Sequence, residues 1–189
     1  WEGALIPLLT TDIHVICINT SRIGDEDEVR SSKDAFVGKT FAQECEDIER
    51  AYRYLCDEKV LPVDHILSVI GNSFGGTTLL GAPYLLEQAS VVIMIGSGCG
   101  KSATTTKPLL ATLLDEKELL SSLRSYTGIF AFVRGALDSV VPHSSQEKIM
   151  QSASSARVNM RYEIAHADHD LTSITHHVNR TTLIDGLLR

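Results

Sequence analysis

Five short apolar runs punctuate this chain, at residues 13–18, 65–70, 91–95, 129–133 and 158–164. The second, third and fourth are nearly unbroken in apolar residues, the pattern of parallel strands buried on both faces. Between the runs the period changes. Thr40-Phe41-Ala42-Gln43 has capping-box spacing, and Phe41, Cys45, Ile48, Tyr52 and Leu55 then recur at helical intervals. Glu44, Glu46, Asp47, Glu49 and Arg50 occupy the opposite, solvated face. Residues 77–88, 114–124, 143–154 and 171–188 also read as helices. Strands alternating with helices predict an α/β fold, a mainly parallel sheet with helices on both faces. The polar stretch 21–39 and the Thr-rich stretch 102–107 read as loops.

No internal repeat or linker divides the 189 residues, so one domain over 1–189 is expected. A net charge of −7 argues against nucleic acid or an anionic membrane as the main partner. No apolar stretch has the length to span a bilayer. Cys17, Cys45, Cys56 and Cys99 form no Cys-x-x-Cys pair, and buried reduced thiols are the expectation. With no signal-peptide pattern, the expected location is the cytoplasm.

The most informative segment follows the second run: Gly71-Asn72-Ser73-Phe74-Gly75-Gly76. A Gly-x-Ser-x-Gly turn between strand and helix lifts a serine hydroxyl onto a sharp bend, with Gly71 and Gly75 expected to avoid backbone collisions. Phe74 opens the following helix, leaving its N–H free to face a developing oxyanion. In open parallel sheets, chemistry collects beyond the carboxyl ends of the strands. Asp138 lies just after the fourth run, in Arg134-Gly135-Ala136-Leu137-Asp138, and His169 just after the fifth, in Ala165-His166-Ala167-Asp168-His169. Serine, acid, histidine, each after its own strand, is the order of the α/β-hydrolase arrangement.

These three segments together resemble the α/β-hydrolases of the serine-esterase and lipase-like kind, over the whole chain. The resemblance implies an α/β-hydrolase fold lacking its first strands, and cleavage of a carboxylic ester, or a thioester or small amide, through an acyl-enzyme. Ser73 would be the nucleophile, Asp138 the orienting acid and His169 the base, with no cofactor and a small-molecule ester as partner. Family members carry a small residue where His166 stands, which favours His169. The family's His-Gly pair is absent before Trp1-Glu2-Gly3-Ala4. By that alignment Trp1 would hold the second oxyanion donor beside Phe74, with residues upstream of Trp1 expected to complete the site. The lid region, about 101–128, is short, which implies an open site.

Three other readings compete. Gly96-Ser97-Gly98-Cys99-Gly100-Lys101-Ser102 resembles a nucleotide-binding phosphate loop. Its first glycine would fall at Ile95, and the residues that should open a helix are β-branched and interrupted by Pro108. A hydrolase-fold module that only binds a ligand is the second alternative. The cluster His166, Asp168, His169, Asp170, His176 and His177 invites a metal, yet fits no zinc-site spacing. His14 and His65, within apolar runs, read as packed structural residues.

Overall fold

A computed structural model of the chain describes residues 15–18, 38–101 and 108–171. Four strands, β1 (Ser68–Asn72), β2 (Val91–Ile95), β3 (Ile129–Gly135) and β4 (Val158–Ile164), form one sheet in that order. Every neighbouring pair is parallel, and the register places Ile70, Ile93, Ala131 and Met160 in one row, then Gly71, Met94, Phe132 and Arg161 in the next. Alternate rows face opposite sides.

The main core lies on the face carrying Val69, Val92, Met94, Phe130 and Phe132. Against it pack Phe41, Leu80, Leu86, Leu119, Leu123 and Ile149 from the helices. A smaller cluster on the other face holds Ile93, Ile95, Ala131, Val133, Ala167 and Leu171. The helices carrying Phe41, Leu80, Leu86, Leu119, Leu123 and Ile149 all bury these side chains in the main core. The helix predicted at 171–188 and the loops at 21–37 and 102–107 lie outside the described residues.

Helix α1 (Phe41–Asp57) begins with the expected reciprocal cap. The Thr40 hydroxyl accepts from the Gln43 N–H, and the Gln43 side chain accepts from the Thr40 N–H. The next N–H, of Phe41, is taken by Thr112 Oγ1 at 2.8 Å, which ties α1 to a segment 71 residues away. Buried Lys39 sits between Glu44 and Asp47.

Several expected elements are redrawn. Of the first predicted strand, residues 15–18 belong to no strand, and Ile16 and Ile18 are exposed. A strand exists by pairing, and hydrophobicity alone does not supply a partner. Residues 65–67 precede β1, and His65 instead meets the Tyr52 hydroxyl at 3.1 Å. β1 is buried on alternate residues, not on both faces, because it ends the row of described strands. The single helix expected at 77–88 is two, α2 (Phe74–Leu80) and α3 (Pro83–Gln88). Pro83 cannot continue a helix but fits the first turn of a new one. After α4 (Pro108–Ala111), the predicted 114–124 helix is two single turns, α5 (Glu116–Leu119) and α6 (Ser121–Arg124). Helix α7 (His143–Ser152) agrees with expectation. Leu113, Leu119, Leu120, Leu123 and Tyr126 are all buried in the main core, so the described part of the supposed lid region is built into the fold. Among the four cysteines, Cys45 and Cys99 are buried as expected, whereas Cys17 is exposed.

Candidate active site

Parallel pairing puts the carboxyl ends of all four strands on one edge, and each contributes a turn there. Ser73 follows β1 with φ 51° and ψ −119°, a conformation that side-chain-bearing residues rarely adopt. Its N–H donates to the Ile95 carbonyl at 2.7 Å, and its carbonyl accepts from the Gly76 N–H at 3.1 Å. The bend is thus held from the neighbouring strand and from the helix it starts. Two glycines permit this packing. A Cβ on Gly71 would stand 2.5 Å from the Gly76 Cα, and one on Gly76 would overlap the buried Ser97 hydroxyl. Gly75, expected to avoid a collision with neighbouring backbone, has nothing within 4 Å of its Cβ position and is exposed. The steric demand falls one residue later because Gly76, not Gly75, faces the strand.

Ser73 Oγ lies 2.8 Å from His169 Nε2, and His169 Nδ1 lies 2.9 Å from Asp138 Oδ2. The structure therefore brings together the three residues singled out by their order along the chain. His166 is exposed, on a turn with φ 62°, and takes no part. Asp138 is on the turn leaving β3. Its Oδ1 accepts the N–H groups of Val140 and Val141 at 2.9 and 3.0 Å, and its Oδ2 accepts Gln146 Nε2 at 2.7 Å as well as His169. The Asp138 side chain is fully buried. Burial, the strongest single influence, favours its neutral form. The hydrogen bonds from His169, Val141 and Val140, with the imidazole charge, outweigh that and hold the carboxyl below its ordinary range. An ionised carboxylate only accepts, so the proton of a neutral imidazole resides on Nδ1 and Nε2 is left to accept from the serine hydroxyl. Such a chain can activate a hydroxyl for attack on an electrophilic carbon.

The turns bearing Asp138 and His169 are stitched to one another. The Ala136 N–H reaches the Ile164 carbonyl at 3.0 Å and the Leu137 N–H the Ala167 carbonyl at 2.8 Å. Gly135 makes this possible, since a Cβ there would collide with the carbonyls of Ala167 and Asp168. Leu171, fully buried, anchors the far end of the histidine loop. Gly96, at φ 57°, lies close under His169. Gly76 and Gly135 stand within the segments singled out by sequence, but their steric role, like Gln146 altogether, was not read there. A glycine ending an apolar run was the available signal for Gly135; Gln146 left none.

The segment from Gly96 onward does not form an open phosphate cradle. The N–H of Gly96 is held by the Val133 carbonyl and that of Cys99 by Ser145 Oγ, two amides engaged within the fold. Among the described residues no group of three His, Cys, Asp or Glu side chains could hold a metal ion; His176 and His177 lie outside them. Trp1 also lies outside the described residues. Phe74, the first residue of α2, places its ring edge-on to Phe41 with centroids 6.1 Å apart. A shallow depression of about 260 Å³ lies elsewhere, around Glu116, Leu120, Arg124 and Lys148.

The sheet order, the serine turn and the placement of the acid and histidine turns are those of the α/β-hydrolase fold. Solved structures agree. The chain resembles the esterase domain of a Rhodothermus marinus protein, with TM-score 0.56 and 19% identity over 76% of this chain and 66% of that one. It also resembles the metagenome-derived lipolytic enzymes LipS and LipT, with TM-score 0.62 and 14% identity over 84% of this chain and 78% of that one. A third likeness is to the monoacylglycerol lipase of Paleococcus ferrophilus, with TM-score 0.60, 12% identity and coverage of 79% and 75%. The chain thus spans about two thirds of the first of these structures and somewhat more of the others. No protein-family model matches the sequence, and no curated protein is significantly similar to it. Among the described residues, no helix is long and apolar enough to cross a membrane.

Proposed function

We propose that this protein is a serine hydrolase that cleaves carboxylic esters, with thioesters or small amides as chemically related substrates. The reading is carried by one observation, the unbroken chain from Ser73 Oγ through the imidazole of His169 to the Asp138 carboxylate. Similarity of fold to esterases and lipases supports it. In this mechanism His169 Nε2 takes the Ser73 proton as Oγ attacks the ester carbonyl carbon. The carbonyl π electrons move onto oxygen, and that oxyanion is held by the Phe74 N–H together with the second donor that the resemblance assigns to Trp1. Collapse of the intermediate breaks the bond to the alcohol, which leaves with the proton from His169. Water then repeats the sequence on the acyl-enzyme, releasing the acid and restoring Ser73. Asp138 stabilises the imidazolium at each stage. No cofactor enters these steps. A cytoplasmic setting, where thiols stay reduced, suits the protein so read.

The test is labelling by a fluorophosphonate probe and turnover of short p-nitrophenyl esters. Wild-type protein should do both, and Ser73→Ala should lose the labelling and about 10⁴-fold or more of the turnover. A wild type that ignores the probe and the esters would refute the proposal.

A further inference from the structure

Asp138 accepts hydrogen bonds from four donors, and one of them, Gln146, is a side chain that the mechanism above does not use. Gln146 projects from the first turn of α7, is fully buried, and places Nε2 2.7 Å from Asp138 Oδ2. That oxygen is the one facing His169 Nδ1 at 2.9 Å. The other Gln146 atom makes the arrangement informative. Its Oε1 is buried with no hydrogen-bond partner among the described residues. Leaving a carbonyl unpaired away from water is unfavourable, and an apolar side chain of the same shape would avoid it. Filling space therefore does not explain a glutamine here. The amide is oriented by what Nε2 does, namely donating to the carboxylate.

We infer that Gln146 is a positioning residue: its amide N–H fixes Oδ2 of Asp138 in the place and plane from which that oxygen holds the His169 ring toward Ser73. The inference rests on the hydrolase reading and adds a fourth residue to it. Val140 and Val141 hold only Oδ1, so apart from His169, the ring to be held, the donor to Oδ2 is Gln146. Gln146 thus fixes Oδ2 independently of the imidazole. Because α7 starts at the turn after Asp138, the Gln146 N–H bonded to the Pro142 carbonyl at 3.2 Å sets the depth at which the amide enters. The surrounding packing is supplied by Ile149 and Met150 of the same helix, both buried.

The experiment compares wild type with Gln146→Met, which keeps volume and flexibility but has no donor and no orphan carbonyl. Three quantities are measured: thermal unfolding, kcat and KM on a p-nitrophenyl ester, and the far-downfield proton resonance of the His169 Nδ1–H. Expected are an unfolding temperature no lower than that of a mild core substitution, a kcat reduced about tenfold at unchanged KM, and a shifted or broadened resonance. Gln146→Leu serves as the second variant and should behave alike. A folded Met or Leu variant with kcat within twofold of wild type and an unmoved resonance overturns the inference. Failure of both variants to fold also overturns it, in favour of a purely architectural role. Inert wild-type protein would refute the hydrolase reading instead, and the resonance alone would then judge Gln146: displaced in the variants it stands, unmoved it falls.

Discussion

At the scale of single residues, the serine turn depends on two absent side chains more than on any present one. Gly71 and Gly76 face each other across the bend, and Gly76 also faces Ser97. Gly76→Ala should therefore destabilise the protein by about 1–3 kcal/mol or more, read from denaturant unfolding. Adding Ser97→Gly should recover part of that loss, since it removes both atoms the new methyl would strike. Gly75→Ala is the control: with open space around it in a helix, it should be neutral or stabilising by up to about 1 kcal/mol. The motif as written in one dimension treats the two glycines of Gly-x-Ser-x-Gly alike. Space does not. Ser73, Asp138 and His169 could be singled out because each chemistry-bearing residue directly follows an apolar run. Gln146 could not, because nothing in a polar helix face marks one glutamine as turned inward.

At the scale of elements, local signals set starts better than they set partners. The α1 cap was readable from Thr40 to Gln43, and it closes as written. Thr40→Ala should remove one half of it and cost about 1 kcal/mol. For a chain of this size that is a fall of roughly 2–4 °C in Tm, measurable by calorimetry. Helix interruption was less legible. Gly81-Ala82-Pro83 divides α2 from α3, and Leu120 joins α5 to α6; each second piece buries its own leucine, Leu86 or Leu123, in the core. Periodicity alone merges such pieces. β4 pairs as the fifth run predicts, yet none of its residues is buried, because it closes the described sheet at the edge opposite β1.

At the scale of the whole molecule, stability is linked to the state of Asp138. Its proton affinity is lower in the folded protein than in the unfolded chain, so on acidification the unfolded chain takes up the proton first. The stabilisation it contributes is complete above the ordinary carboxylate value of 3.8 and is lost as pH falls through the folded-state value. The gap in unfolding free energy between wild type and Asp138→Asn should accordingly be widest near neutrality and narrow below about pH 4. A gap that widens on acidification would contradict the direction assigned to Asp138. The same substitution should lower ester turnover by about 10⁴-fold, by releasing the imidazole tautomer.

The amino-acid order by itself determined that strands and helices alternate, that the sheet is parallel, and which turns follow which strands. Those are consequences of local periodicity and of chain connectivity, both present in one dimension. The tertiary structure decided that residues 15–18 join no described strand, which glycine cannot bear a methyl group, and which glutamine turns inward to a carboxylate. Each of these depends on distances between residues far apart along the chain, and a sequence carries no record of distance until its core has packed.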